Sequence, residues 1–96
     1  MLKFEWDKGN IGKIQRRFLI SDIELFFYQE VLLFFDLKHS DLELRFIAVG
    51  NGPLNKPIFV SFTFRLGSIR VVSARHMRKK ELEKYEKVKK TFESEN

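Results

Sequence analysis

Four arginines, Arg45, Arg65, Arg70 and Arg75, fall within or at the ends of stretches that alternate as β-strands do. A guanidinium stays charged and offers a planar fork of N–H groups that bonds phosphate oxygens in pairs, so arginines converging on one sheet surface would suit a phosphate-bearing ligand. The same side chains can instead pair across strands with Glu43 or Asp36. Glu43, two residues before Arg45, is placed either to act as a base or to orient that arginine. His39, in Lys38-His39-Ser40-Asp41, carries the side chain that ordinarily titrates near neutrality, and serves either acid–base chemistry or a solvated turn. Ser61 and Thr63 share a strand face with Arg65, from which they can hydrogen-bond a ligand or simply meet solvent. Lys13, Arg16 and Arg17 extend the basic set onto the outer side of a first helix.

Other chemistries are excluded by what the chain lacks. It has no Cys and two His, which leaves no thiolate nucleophile, no disulfide and no metal-ligand set, and there is no glycine-rich phosphate loop or serine elbow. No metal and no cofactor are therefore expected. The net charge of +5 is unevenly placed: residues 1–74 carry +2, residues 75–90 carry +5 and the last six carry −2. Such a balance favours approach to RNA, DNA or an acidic protein without choosing among them, although the lysines also form helical i, i+3 and i, i+4 pairs with Glu81, Glu83 and Glu86.

Positioning these groups requires the following elements. Leu2, Phe4 and Trp6 alternate with charged residues as in a short strand, and Asp7 or Asn10 can cap a helix with Ile11, Ile14 and Phe18 on its inner side. Ser21-Asp22-Ile23-Glu24 reads as a capping box for a second helix that buries Ile23, Phe26 and Phe27. Val31 to Phe35, Leu42 to Val49, Ile58 to Arg65 and Ile69 to Arg75 read as strands, with a polar loop over Asp36–Asp41 and a hairpin turn at Leu66-Gly67-Ser68. From about Met77 the pattern is helical, with a narrow stripe of Leu82, Tyr85, Val88 and Phe92. Together these predict one α+β domain over residues 1–96, an antiparallel sheet with two N-terminal helices and a C-terminal helix. The charged N-terminus does not read as a signal peptide and the longest apolar run is too short to span a bilayer, which points to the cytoplasm.

Several anchors occur in order: Phe4-Glu5-Trp6-Asp7, Gly9-Asn10 with Lys13, Phe34 with Asp36, His39-Ser40, Glu43 with Arg45, and Ala48 with Gly50. Phe62-Thr63 with Arg65, Ile69-Arg70-Val71-Val72-Ser73-Ala74-Arg75, and Met77 with Lys79-Lys80-Glu81 and Tyr85 complete the series. From Phe4 to about Lys87 the chain resembles the BrnT toxins of type II toxin–antitoxin systems. The resemblance implies a RelE/ParE-like fold and a ribonuclease that cleaves RNA without a metal. It also implies neutralisation by a BrnA-like antitoxin with a ribbon-helix-helix domain, DNA being met only through that partner, with no membrane role. On this reading Arg45, Arg65, Arg70, Arg75, Glu43 and His39 are the catalytic candidates, and Lys13, Arg16, Arg17, Ser61 and Thr63 the RNA-binding ones. Three positions depart from the family pattern: Phe18 stands where a His is usual, Ile14 where an Asn commonly follows Lys13, and Arg78 where a capping hydroxyl opens the last helix. Loss of that hydroxyl removes about 1 kcal/mol. Loss of the His keeps a second reading open, a non-enzymatic toxin-fold module or co-repressor that acts only with its antitoxin.

Overall fold

The computed structural model describes residues 1–39 and 42–94. Helices α1 (Ile11–Gln15) and α2 (Ile20–Phe26) precede strands β1 (Leu32–Phe35), β2 (Arg45–Asn51), β3 (Pro57–Arg65) and β4 (Ser68–His76), and α3 (Lys79–Ser94) closes the chain. The strands form one antiparallel sheet in the order β1-β2-β3-β4, giving the expected mixed architecture of three helices on a four-stranded sheet. Ser40 and Asp41, in the loop expected after β1, lie outside the described residues. Among the described residues no helix is long and apolar enough to cross a membrane.

The core lies between α1 and α2 and the inner face of the sheet. Ile14, Ile23 and Phe26 from the helices and Phe18 from the link between them meet Ala48, Ile58, Val60, Phe62, Ile69 and Val71 from the strands. Phenylalanines extend it: Phe27 contacts Phe62 edge-on at 5.1 Å and Phe4 at 5.7 Å, pairings worth about 0.5–1.5 kcal/mol each beyond their buried area. Gly50 lets β2 pass close under α2, since a Cβ there would stand 3.1 Å from Val31 Cγ1 and 3.3 Å from Phe26 Cε2 and those side chains would have to give.

Local signals are overruled where tertiary partners compete. The alternating Leu2–Trp6 segment does not make a full strand: it lies parallel to β4 through a single bridge, Phe4 to Ile69, with Glu5 N donating to Ile69 O at 2.9 Å and Ile69 N to Lys3 O at 2.8 Å. Of the two expected caps, Asp7 takes the role, its Oδ1 accepting from Gly9 N at 2.8 Å and its carbonyl from Ile11 N at 2.9 Å, whereas Asn10, which precedes α1, makes no capping bond with its buried side chain. Its Nδ2 instead donates to Glu5 O and Val71 O, both at 3.0 Å, while its Oδ1 accepts from Asp7 N at 2.8 Å, fastening the N-terminal segment to β4. The Ser21–Glu24 capping box does not form. Leu19 is the N-cap of α2, Ser21 is already within the first turn, and Glu24 accepts the Trp6 indole N–H at 2.8 Å. A half-buried indole needs an acceptor, and that need outweighs a local cap. At α3 half a box survives despite Arg78, because Glu81 Oε1 accepts from Arg78 N at 2.9 Å.

Two irregularities set the sheet. The β3–β4 turn is two residues, Leu66 at φ 50° and Gly67 at φ 83°, with Ser68 already paired to Arg65. Further along, Ser61 pairs with Ser73 but Phe62 with Val71, so Val72 is an extra, bulged residue. Arg70 and Arg75 are five residues apart and would face opposite sides of a regular strand. The bulge resets the alternation, so Arg70 opposite Thr63 and Arg75 opposite Phe59 both face outward.

Candidate functional site

The outer face of the sheet divides in two. Leu32, Phe34, Val49 and Phe59 form an apolar half beside Tyr85 and Val88 of α3. Next to it lies a shallow cavity of about 460 Å³ into which Lys13, His39, Arg45, Ser61, Ser73 and Arg75 project, with Asp36 and Glu81 in its wall. Lys13 reaches it from α1, while Arg45, Ser61, Ser73 and Arg75 come from adjacent strands whose register places Arg45 beside Thr63 and Ser61 beside Ser73.

His39 ends the 3-10 turn Leu37–His39 that follows β1, and its spacing from Asp36 is the i, i+3 of a helical turn. The turn brings Nδ1 to 3.0 Å from Asp36 Oδ2 and 3.3 Å from Oδ1. Asp36 is 12% exposed and His39 58%, so a sheltered carboxylate orients an accessible ring. With the Nδ1 proton assigned to the Asp36 side, Nε2 is the nitrogen left to exchange a proton with a ligand.

Each of three arginines has carboxylate company. Arg75 is held end-on by Glu81, Nη1 to Oε1 and Nη2 to Oε2 both at 2.9 Å, and its guanidinium lies 4.6 Å from the Phe59 ring centroid. That fork, with Arg78 N as a second donor, holds the Glu81 carboxyl down at about 2, and Glu81 in turn raises the Arg75 pKa. An end-on pair leaves the Nε edge of the fork for a second acceptor. Arg70 gives Nη1 to Glu5 Oε1 and Asp7 Oδ2, both at 2.8 Å, and Nη2 to Asp7 Oδ1 at 3.0 Å. This arginine lowers the Asp7 pKa and has its own raised by Asp7. Arg65 contacts Glu43 through Nε at 3.3 Å and Nη2 at 3.4 Å, and lies 3.6 Å from Glu5. Arg65, Glu43, Arg45 and His39 line a second hollow of about 430 Å³ that adjoins the first through His39 and Arg45.

The structure thus gathers Lys13, His39, Arg45, Ser61 and Arg75, keeps Arg65 and Glu43 in the adjoining hollow, and sets Arg16, Arg17, Thr63 and Arg70 apart. Thr63 is corrected: it is 2% exposed and its hydroxyl donates to Leu44 O at 2.6 Å, so it braces the start of β2 and offers nothing to a ligand. Arg70, with a 12% exposed side chain paired to both Glu5 and Asp7, clamps the N-terminal segment. Glu43 orients Arg65. Arg16 and Arg17 line a different cavity, with Phe18 and His76. Sequence reasoning missed Asp36, Ser73 and Glu81 as members of the site. The Asp-x-x-His spacing was a usable signal for the first, and Ser73-Ala74-Arg75 for the second.

Every residue in the wall of the main cavity falls within the stretch matched by a known family. The family model described as ribonuclease toxin, BrnT, of type II toxin–antitoxin system matches residues 6–81. No curated protein matches the chain.

Proposed function

From the premise that this chain belongs to the BrnT family of ribonuclease toxins of type II toxin–antitoxin systems, we propose that it cleaves RNA at the cavity between Arg45 and Arg75 without a metal ion. The observation that carries the reading is the Asp36–His39 contact at 3.0 Å beside these two arginines in one accessible cavity.

Cleavage of this kind needs a base for the ribose 2′-hydroxyl, cations where charge builds on the phosphate, and a proton for the departing 5′-oxygen. His39 Nε2 takes the 2′-hydroxyl proton. The 2′-oxygen then bonds phosphorus as the P–O5′ bond breaks, which leaves a 2′,3′-cyclic phosphate and a 5′-hydroxyl protonated from solvent in the open cavity. Arg45, the free edge of Arg75 and the Lys13 ammonium stabilise the charge on the non-bridging oxygens, while Ser61 and Ser73 offer hydroxyls to the strand. Asp36 is a positioning residue for His39, and Glu81 is one for Arg75.

We further read the fold as RelE/ParE-like, the cell compartment as the cytoplasm and the antitoxin as a BrnA-like ribbon-helix-helix protein. The family supports the last two, and the helices on an antiparallel sheet support the first. The test is incubation of the purified protein with labelled RNA and excess chelator. Cleavage that yields cyclic phosphate ends, is suppressed by the antitoxin and is lost in His39→Ala is the expected result. Antitoxin binding without cleavage at high protein concentration would give the protein to the non-enzymatic reading.

A further inference from the structure

We infer that a second cavity, on the opposite face of the sheet at the His76 end of β4, is a subsite for the single-stranded RNA that flanks the scissile phosphate. This rests on the reading of the first cavity as the cleavage site. The second cavity, of about 400 Å³, is lined by Arg16, Arg17, Phe18, Asp22, Lys56 and His76 among others. Three of these are exposed cations, and among the described residues none of the three is in an ion pair, in contrast to Arg65, Arg70 and Arg75. Asp22 is the one acidic side chain in the lining.

Both elements that bound this cavity also reach the first. In α1, Lys13 projects into the cleavage cavity, and Arg17 follows it by four residues. The turn continues between them, with Arg16 at helical angles and Arg17 N donating to Ile14 O at 3.1 Å. Side chains so spaced are neighbours, about 5–6 Å apart at Cβ. In β4, Arg75 faces outward into the first cavity and His76, the next residue, faces the other side. A polyanion leaving Lys13 and Arg75 therefore meets Arg17 and His76 next.

The second cavity also has something for a base to stack on. The His76 ring is exposed and rests against buried Phe18, centroids 5.1 Å apart at 49°. Its backbone pairs with Ile58, so an exposed ring anchored at its base and leaning on a second ring presents a face to a nucleobase. The Lys56 backbone is held by the tight Pro53–Asn55 turn, where Gly52 N donates to Lys56 O at 2.8 Å and Lys56 N to Pro53 O at 3.3 Å. Exposed cations around a ring, unpaired among the described residues, suit an unstacked nucleotide better than an apolar protein segment.

The experiment uses the full chain carrying His39→Ala, to prevent cleavage, with RNA oligonucleotides of about four and about ten nucleotides at several salt concentrations. The longer RNA should bind about tenfold tighter and with a steeper salt dependence. Arg17→Gln with Lys56→Gln should abolish that gain and reduce the slope of log K against log salt by about 1.4, at about 0.7 per phosphate contact. His76→Ala should weaken the longer RNA about fivefold or more with the slope unchanged, because stacking releases no counterions. A ten-mer that gains nothing over a four-mer, or a gain that survives the double substitution, overturns the subsite and leaves the cleavage cavity standing. Loss of antitoxin affinity with the RNA gain intact overturns it in favour of a protein-binding role. If neither oligonucleotide binds, the reading of the first cavity fails and the subsite falls with it.

Discussion

Replacing Glu81 by Gln isolates one charge at the junction of cavity and helix. Glutamine keeps an acceptor for Arg78 N, as capping boxes accept either residue, so the variant removes mainly the ionic half of the Arg75 fork. The carboxyl falls from 4.5 to about 2 in the folded protein, which in an unscreened site would correspond to roughly 3 kcal/mol. The Glu81 side chain is 28% exposed and Arg75 37%, however, and pairs this open contribute about 1 kcal/mol or less. We therefore expect the variant to be less stable by about 1 kcal/mol near pH 7, a fall of about 4–8 °C in melting temperature for a domain of this size. Because the folded value lies below the unfolded one, the contribution is complete above pH 4.5 and is lost as pH falls toward about 2. Melting curves of both proteins from pH 7 to 2 should accordingly converge at the acid end. A gap that stays constant over this range, or no gap at pH 7, would show that Glu81 acts only as a cap.

Three other substitutions separate stability from chemistry. Leu66→Asn should raise stability by about 1 kcal/mol, seen as a higher denaturation midpoint, because Leu66 is fully exposed at φ 50° in a two-residue turn where Asn-Gly is favoured. Asp36→Asn should lower the single-turnover cleavage rate tenfold or more, on the order of 1.4 kcal/mol, since it alters the orientation of His39. Arg70→Gln should lower the melting temperature while leaving the cleavage rate of the remaining folded protein within about twofold, checked by titrating folded protein before the assay; a rate loss of about tenfold or more would return Arg70 to the active surface.

Much of the fold is legible because its signals are periodic and reinforced by packing. The alternation of Ile58, Val60 and Phe62 places three buried side chains on one face of β3, and the helical spacing of Ile14 and Phe18 places two more above them. What fails is capping and termination, where a single residue chooses between a local and a distant partner. Asn10 has every property of an N-cap and is spent on Val71 O, sixty-one residues away; Glu24 fits a capping box and is taken by Trp6. Neither distant partner has any signature in the sequence near the residue it captures.

The site is legible in kind and not in arrangement, and Val72 shows why. Counting residues along a regular β4 would put Arg70 and Arg75 on opposite faces; the bulge puts them on the same one, and no residue type around Val72 announces it. Sharing a face then proves insufficient. Arg70 meets Glu5 and Asp7, carried in by the N-terminal segment that Asn10 pins to β4, so two carboxylates balance its charge on a side chain only 12% exposed. Among the described residues Arg75 meets one carboxylate, Glu81, whose end-on grip leaves the Nε edge unused on a side chain 37% exposed. The difference between a structural arginine and one that can hold a phosphate is thus fixed by how many carboxylates the tertiary fold delivers to each fork.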